Sequence, residues 1–169
     1  HALLHMAPTT GLPPDDATCA VPGLDLTAAL RPDLMPRVAP LIPRLCDRPS
    51  SSDPVLCHGD FGFDQILKDA ETLSLVDFDR CHAGEAAADI ARFLVSLSET
   101  PPAGMTSPAA KAAYLDGYTQ VRALPDRDRL TWFLTEAAAR RLLVRLRKDQ
   151  AHAPQMQRLL DLIAAPVAA

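Results

Sequence analysis

The residues with the most chemistry in this sequence are one histidine, four carboxylates and one amide: His58, Asp60, Gln65, Asp77, Asp79 and Asp89. Their order is His-x-Asp-x4-Gln, then Asp77-Phe78-Asp79 beginning twelve residues after Gln65. Phosphoryl transfer asks little covalent chemistry of a protein. It needs a carboxylate to orient the attacking hydroxyl and oxygen ligands to hold Mg2+ against the phosphates. The set contains both kinds of group. Taken singly each residue is ordinary: His-Gly-Asp is a common turn, Gly59-Asp60 makes a loop, and a lone Asp at a strand end is a solvated residue. The functional argument rests on the whole set at these separations.

Those residues are positioned by alternating apolar runs and polar breaks. Val55–Cys57 is apolar and stops at His58-Gly59-Asp60. Ile66 and Leu67 resume the run, Glu71-Thr72 marks a turn, and Leu73–Val76 ends at Asp77-Phe78-Asp79. The pattern predicts strand, loop, strand, tight turn, strand, loop and helix, with a β-hairpin at its centre. Ile90, Phe93, Leu94 and Leu97 fall at i, i+3, i+4 and i+7, so a helix should follow, with Asp89 beside its buried stripe.

The stretch from Val55 to Leu94 resembles the catalytic core of the aminoglycoside phosphotransferase and choline kinase family, small-molecule relatives of the protein kinases. That family carries His-Gly-Asp in its catalytic loop, Asn five residues after the Asp, an Ile-Asp-Phe-like strand end and a later Asp-Leu-Ala on a helix. Here the matching residues are His58-Gly59-Asp60, Gln65, Val76-Asp77-Phe78 and Asp89-Ile90-Ala91. The resemblance implies that Asp60 is the catalytic base and His58 the structural histidine of the catalytic loop. It makes Asp77 the principal Mg2+ ligand, Gln65 the second, and Asp89 a buried carboxylate bracing the loop backbone. Asp79 is a further candidate metal or substrate contact. Gln65 departs from the family Asn: it keeps the amide oxygen and adds a methylene. ATP would be the co-substrate.

On the same resemblance the fold class is α+β and mainly helical: a protein-kinase-like large lobe carrying a catalytic β-hairpin. Residues 1–169 would form the C-terminal catalytic and substrate lobe. The ATP-binding N-terminal lobe would be absent from this chain, since no Gly-rich phosphate loop and no strand lysine of the Val-Ala-Ile-Lys type can be found; the only lysines are Lys68, Lys111 and Lys148. The implied activity is ATP-dependent phosphotransfer to a hydroxyl of an aminoglycoside, sugar or amino alcohol, silent in these residues alone. Two other readings stay open. One is a kinase-like binding or regulatory domain without catalysis. The other is a metal-dependent hydrolase using Asp60, Asp77 and Asp79.

The flanking sequence should be helical. His1–Met6 has the content of a helix end, and His5 is expected to cap or pack. Residues 7–24 read as a loop, Leu24–Leu30 as a short helix, and 47–53 as a linker. Leu34, Val38, Leu41 and Leu45 keep helical spacing, but Pro36, Pro40 and Pro43 predict a kinked or broken helix. Ser107-Pro108 reads as a helix start, Ser as cap and Pro first, for a helix to about Val121 with Ala110, Tyr114, Tyr118 and Val121 near one face. A long helix should start at Asp126 or Asp128 and end near Lys148, with Arg140, Arg141, Arg145, Arg147 and Lys148 on a solvated basic end. The last helix, about Pro154–Ala164, places Met156, Leu159, Leu160 and Ile163 on one side.

Composition sets the outer limits. With 169 residues, 48% hydrophobic and 22% charged, the chain suits one globular domain. A formal net charge of −4 argues against nucleic acid as the main partner. No apolar run approaches the roughly 20 residues of a membrane span. The cysteines at 19, 46, 57 and 81 contain no Cys-x-x-Cys pair, so free thiols in a reducing cytosol are expected. Richness in Ala, Arg and Pro suggests a GC-rich bacterial source. The expected partners are a hydroxylated small molecule and the missing lobe, with neither nucleic acid nor membrane.

Overall fold

The computed structural model describes residues 1–14, 31–48, 54–148 and 153–164. The expected helix at Leu24–Leu30, most of the 47–53 linker, Cys19 and the side chain of Ile163 lie outside the described residues. Six helices are described: α1 (Met35–Val38), α2 (Leu41–Cys46), α3 (Ala86–Glu99), α4 (Ser107–Thr119), α5 (Arg127–Arg147) and α6 (Ala153–Ala164). Four short strands accompany them: β1 (Val55–Cys57), β2 (Ile66–Asp69), β3 (Thr72–Leu75) and β4 (His82–Gly84). The fold is therefore α+β and mainly helical. The chain divides into two compact units, one holding residues 1–16 and 51–125, the other 17–50 and 126–169.

The first unit contains every strand. β2 and β3 form the antiparallel hairpin, in register from Ile66 opposite Leu75 to Asp69 opposite Thr72. β1 pairs with β4 instead, Val55 opposite Gly84 and Cys57 opposite His82. β4 was not foreseen, because Cys81–Glu85 shows no apolar alternation. It is held by its pairing with buried β1, and Ala83 N–H also donates to the carbonyl of Pro13 at 2.8 Å. α3 differs from the one-faced helix expected. Ile90, Phe93, Leu94 and Leu97 are buried, but so are Ala86, Ala87, Ala88, Ala91 and Val95. The small alanines let neighbouring backbone approach on the other faces. Phe61, Phe93, Leu97 and Ala110 form a core cluster, with Ile66, Leu75 and Tyr114 packed against it.

α4 starts one residue earlier than expected. Thr106 is the cap, its hydroxyl accepting from Ala109 N at 3.4 Å, and Pro108 falls at the second helical position. Ala110 and Tyr118 are buried and Tyr114 is half-buried, but the helix ends at Thr119 and Val121, beyond it, is exposed.

In the second unit the prolines interrupt the helix as anticipated. A 3-10 turn at Pro32–Leu34 leads into α1, and Ala39-Pro40 separates α1 from α2. Leu34, Val38, Leu41 and Leu45 are all buried. Asp126 caps α5, its carboxylate accepting from Arg129 N at 2.9 Å. Trp132 Nε1–H donates to the carbonyl of Arg44 at 2.9 Å, and Arg37 pairs with Asp161 at 3.1 Å. Arg140, Arg141, Arg147 and Lys148 are exposed and Arg145 half-buried, as befits a basic helix end in water. Among the described residues no helix is long and apolar enough to cross a membrane.

Candidate active site

The candidate site lies wholly in the first unit, at the loops that follow β1 and β3. Strand β1 ends at Cys57, and the chain turns through His58, Gly59 and Asp60. Gly59 has φ +84°, the left-handed region, and a Cβ there would run into the carbonyl of Arg80. Only glycine satisfies both conditions. The Phe78–Cys81 turn, closed by Cys81 N–H donating to the Phe78 carbonyl at 2.9 Å, thus packs directly against the His58–Asp60 loop.

Two anchors hold that loop. The first is Asp89 in the first turn of α3. Its Oδ2 accepts from His58 N at 2.6 Å and its Oδ1 from Gly59 N at 3.0 Å. Arg92, one turn along, lies 3.4 Å from Oδ1. Asp89 has no exposed surface. Burial pushes its carboxyl up, but the nearby His5 ring, the charge of Arg92 and the two backbone N–H groups outweigh this and hold it below the usual carboxylate range. The second anchor is His58, also fully buried, whose Nε2–H donates to the carbonyl of Val76 at 2.8 Å. That bond joins the end of the first loop to the residue before Asp77. His58 also packs against Phe61 and Phe78, with ring centroids 5.6 and 4.7 Å apart. A ring without exposed surface positions the loop and does not touch substrate.

With its backbone fixed, the loop presents Asp60 outward: the side chain is 59% exposed. The guanidinium of Arg80, itself exposed, faces it with Nε 4.0 Å from Oδ2. Arg80 was not among the residues singled out from sequence. Only its place directly after Asp79 could have flagged it.

Gln65 closes a 3-10 turn at Phe63–Gln65 and is half-buried. Val76 N–H donates to its carbonyl at 3.1 Å, so Gln65 sits across the hairpin base from the residue before Asp77. Asp77 is exposed and has φ +65°, an uncommon conformation for a residue with a side chain. Such strain persists where the surroundings over-determine it, and it concentrates at functional sites. An amide oxygen and a carboxylate are the donors a hard divalent cation takes, so this pair fits Mg2+. Asp79 is exposed on the following turn. Asp60 and Asp77 are, like Asp79, exposed to solvent.

Replacing Asp89 by Ala should cost at least about 1–3 kcal/mol of stability, because two buried N–H groups lose their acceptor together. Denaturant melts measure this directly. A midpoint unchanged from wild type would show that the loop does not depend on Asp89.

The profile of the phosphotransferase enzyme family matches residues 5–124. The chain belongs to that family. Among solved structures, an amicoumacin kinase in complex with AMP-PNP, Ca2+ and Ami aligns with a TM-score of 0.57 at 18% identity, over 80% of this chain and 45% of that one. A glucosamine kinase aligns with a TM-score of 0.50 at 25% identity, over 85% of this chain and 40% of that one. No curated protein matches the sequence. The chain spans less than half the length of either kinase. The fold is thus that of the kinase-like phosphotransferases, and the matched region includes both loops and helix α3.

Proposed function

We propose that this chain is the C-terminal, catalytic and substrate lobe of an ATP-dependent kinase that phosphorylates a hydroxyl of a small molecule of the aminoglycoside, sugar or amino alcohol class. The observation that carries the reading is Asp60, an exposed carboxylate at the tip of a loop fastened from beneath by Asp89 and from the side by His58. Family membership and the likeness to a glucosamine kinase support phosphotransfer to a small molecule.

In this reading Asp60 accepts a hydrogen bond from the substrate hydroxyl and takes its proton as the oxygen bonds to the γ-phosphorus and the bond to ADP breaks. Asp77 and Gln65 would hold Mg2+, with Asp79 as a further contact. When bound, Mg2+ supplies positive charge against the phosphate oxygens and orients them. Arg80 adds positive charge beside Asp60. An N-terminal lobe would complete the ATP site.

The test is to incubate the natural full-length protein with ATP, Mg2+ and a panel of hydroxylated small molecules, alongside Asp77→Ala and Gln65→Asn. Hydroxyl-dependent ADP formation is expected. Asp77→Ala should abolish it, because the metal loses a charged ligand, whereas Gln65→Asn should be tolerated, because it keeps the amide oxygen. If Asp77→Ala retains the wild-type Mg2+ requirement, the metal assignment is wrong. Phosphate-ester hydrolysis without ATP would replace the kinase reading with a hydrolase.

A further inference from the structure

His1 and His5 lie four residues apart, His1 just before and His5 within a 3-10 turn at Leu4–Met6, joined by a bond from His5 N–H to the His1 carbonyl at 3.2 Å. That spacing puts both rings on one face, and it is the spacing by which helical histidine pairs grip a metal. Both rings point at the carboxylate that braces the catalytic loop. His1 Nε2 is 3.4 Å from Asp89 Oδ2 and His5 Nε2 is 3.5 Å from the same oxygen. The three side chains are 4%, 0% and 0% exposed.

Neither contact is a well-made hydrogen bond, for which N···O is about 2.7–3.2 Å. His5 Nε2 is fully buried and has no hydrogen-bond partner. The same separations suit donors sharing one ion: bonds of about 2.0–2.1 Å in a tetrahedron leave neighbouring donor atoms about 3.4 Å apart. The far side of each ring is also arranged as metal-bound histidines require. His1 Nδ1 lies 2.5 Å from Tyr114 Oη, and His5 Nδ1 lies 2.8 Å from Tyr118 Oη. Such outer partners fix the ring and leave Nε2 free to ligate. Each phenol oxygen can accept from an Nδ1–H.

The geometry points to a structural zinc-type site formed by His1 Nε2, His5 Nε2 and Asp89 Oδ2, pinning the N-terminal turn beneath the catalytic loop. Two imidazoles and one carboxylate select zinc or a neighbouring transition metal over Mg2+, which prefers oxygen and keeps its waters. Water would take the fourth position. Asp89 keeps its bonds to His58 N and Gly59 N, so the ion and the loop share one carboxylate. The site is separate from the oxygen donors of Gln65 and Asp77, and it stands whether or not the chain proves to be a kinase.

The experiment loads the purified protein with Zn2+ or Co2+, removes excess by dialysis, and measures metal content, the visible Co2+ spectrum and the melting temperature. One ion per chain is expected, with the intense visible absorption of four-coordinate Co2+ and a higher melting temperature. Cys46, Cys57 and Cys81, none of them in a disulfide, offer rival ligands, which thiolate-to-cobalt charge transfer would reveal. His1→Gln and His5→Gln should abolish stoichiometric binding while circular dichroism stays unchanged. Tyr118→Phe should weaken binding about 10–100-fold, the usual effect of losing an outer-shell partner. If His5→Gln fails to fold, the wild-type Co2+ spectrum and His1→Gln decide. A six-coordinate spectrum, a thiolate band, or full binding by His1→Gln would overturn the site.

Discussion

Asp60→Asn should fold like the wild type and lose about 10²–10⁴-fold in kcat, the usual contribution of a positioned general base. The argument has two halves. The loop that carries Asp60 is held by groups other than its own side chain: Asp89 takes the His58 and Gly59 N–H groups, and His58 donates to Val76. Removing a negative charge from an exposed side chain therefore leaves the scaffold intact. Asn also keeps the size of the group and can still contact a hydroxyl, but it cannot accept the proton. KM for ATP should change little, since Asp60 is not among the oxygens assigned to the metal. Steady-state kinetics in the natural full-length protein, with circular dichroism for the fold, measure both. Near wild-type turnover by a folded Asp60→Asn variant would remove Asp60 from the mechanism.

The parts of this molecule legible in the sequence are those set by local pattern. The β2–β3 hairpin follows from Ile66-Leu67 and Leu73–Val76 around a polar turn. The α3 helix follows from the spacing of Ile90, Phe93, Leu94 and Leu97, and the break between α1 and α2 from Pro40. What escaped depends on partners distant in the chain. Strand β4 has no apolar signature and exists because β1 lies beside it. The need for glycine at 59 comes from the carbonyl of Arg80, on another turn. His1 was overlooked because its partners, Asp89 and Tyr114, are 88 and 113 residues away. Yet the His1–His5 spacing was visible, and it alone marks two rings on one face. The cap of α4 moved from Ser107 to Thr106 because both hydroxyl residues precede Pro108, and local sequence does not choose between them.

The second large effect concerns completeness. These 169 residues alone should fold yet show no ATP-dependent phosphotransfer, whereas a chain that also carries the lobe proposed to precede them should. The β2–β3 hairpin, the two loops and helix α3 form a unit with its own buried cluster around Phe61 and Phe93, so folding does not wait on further sequence. Catalysis does, because ATP must be gripped so that its γ-phosphate lies in line with the hydroxyl at Asp60. Orientation of that kind is worth about 7–11 kcal/mol of barrier. The chain covers 45% and 40% of the two kinases it resembles, and no Gly-rich phosphate loop or strand lysine of the Val-Ala-Ile-Lys type occurs in its sequence. The first unit also exposes Leu3 at 72%, Met6 at 63%, Leu67 at 55% and Leu73 at 67%, apolar side chains that another lobe would cover. Self-association of the shorter chain, seen by light scattering, should therefore fall when the upstream lobe is present. Both chains are assayed with ATP, Mg2+ and the same panel of hydroxylated compounds. Robust phosphorylation by the 169 residues alone would sink the two-lobe reading and require a complete nucleotide site within this chain.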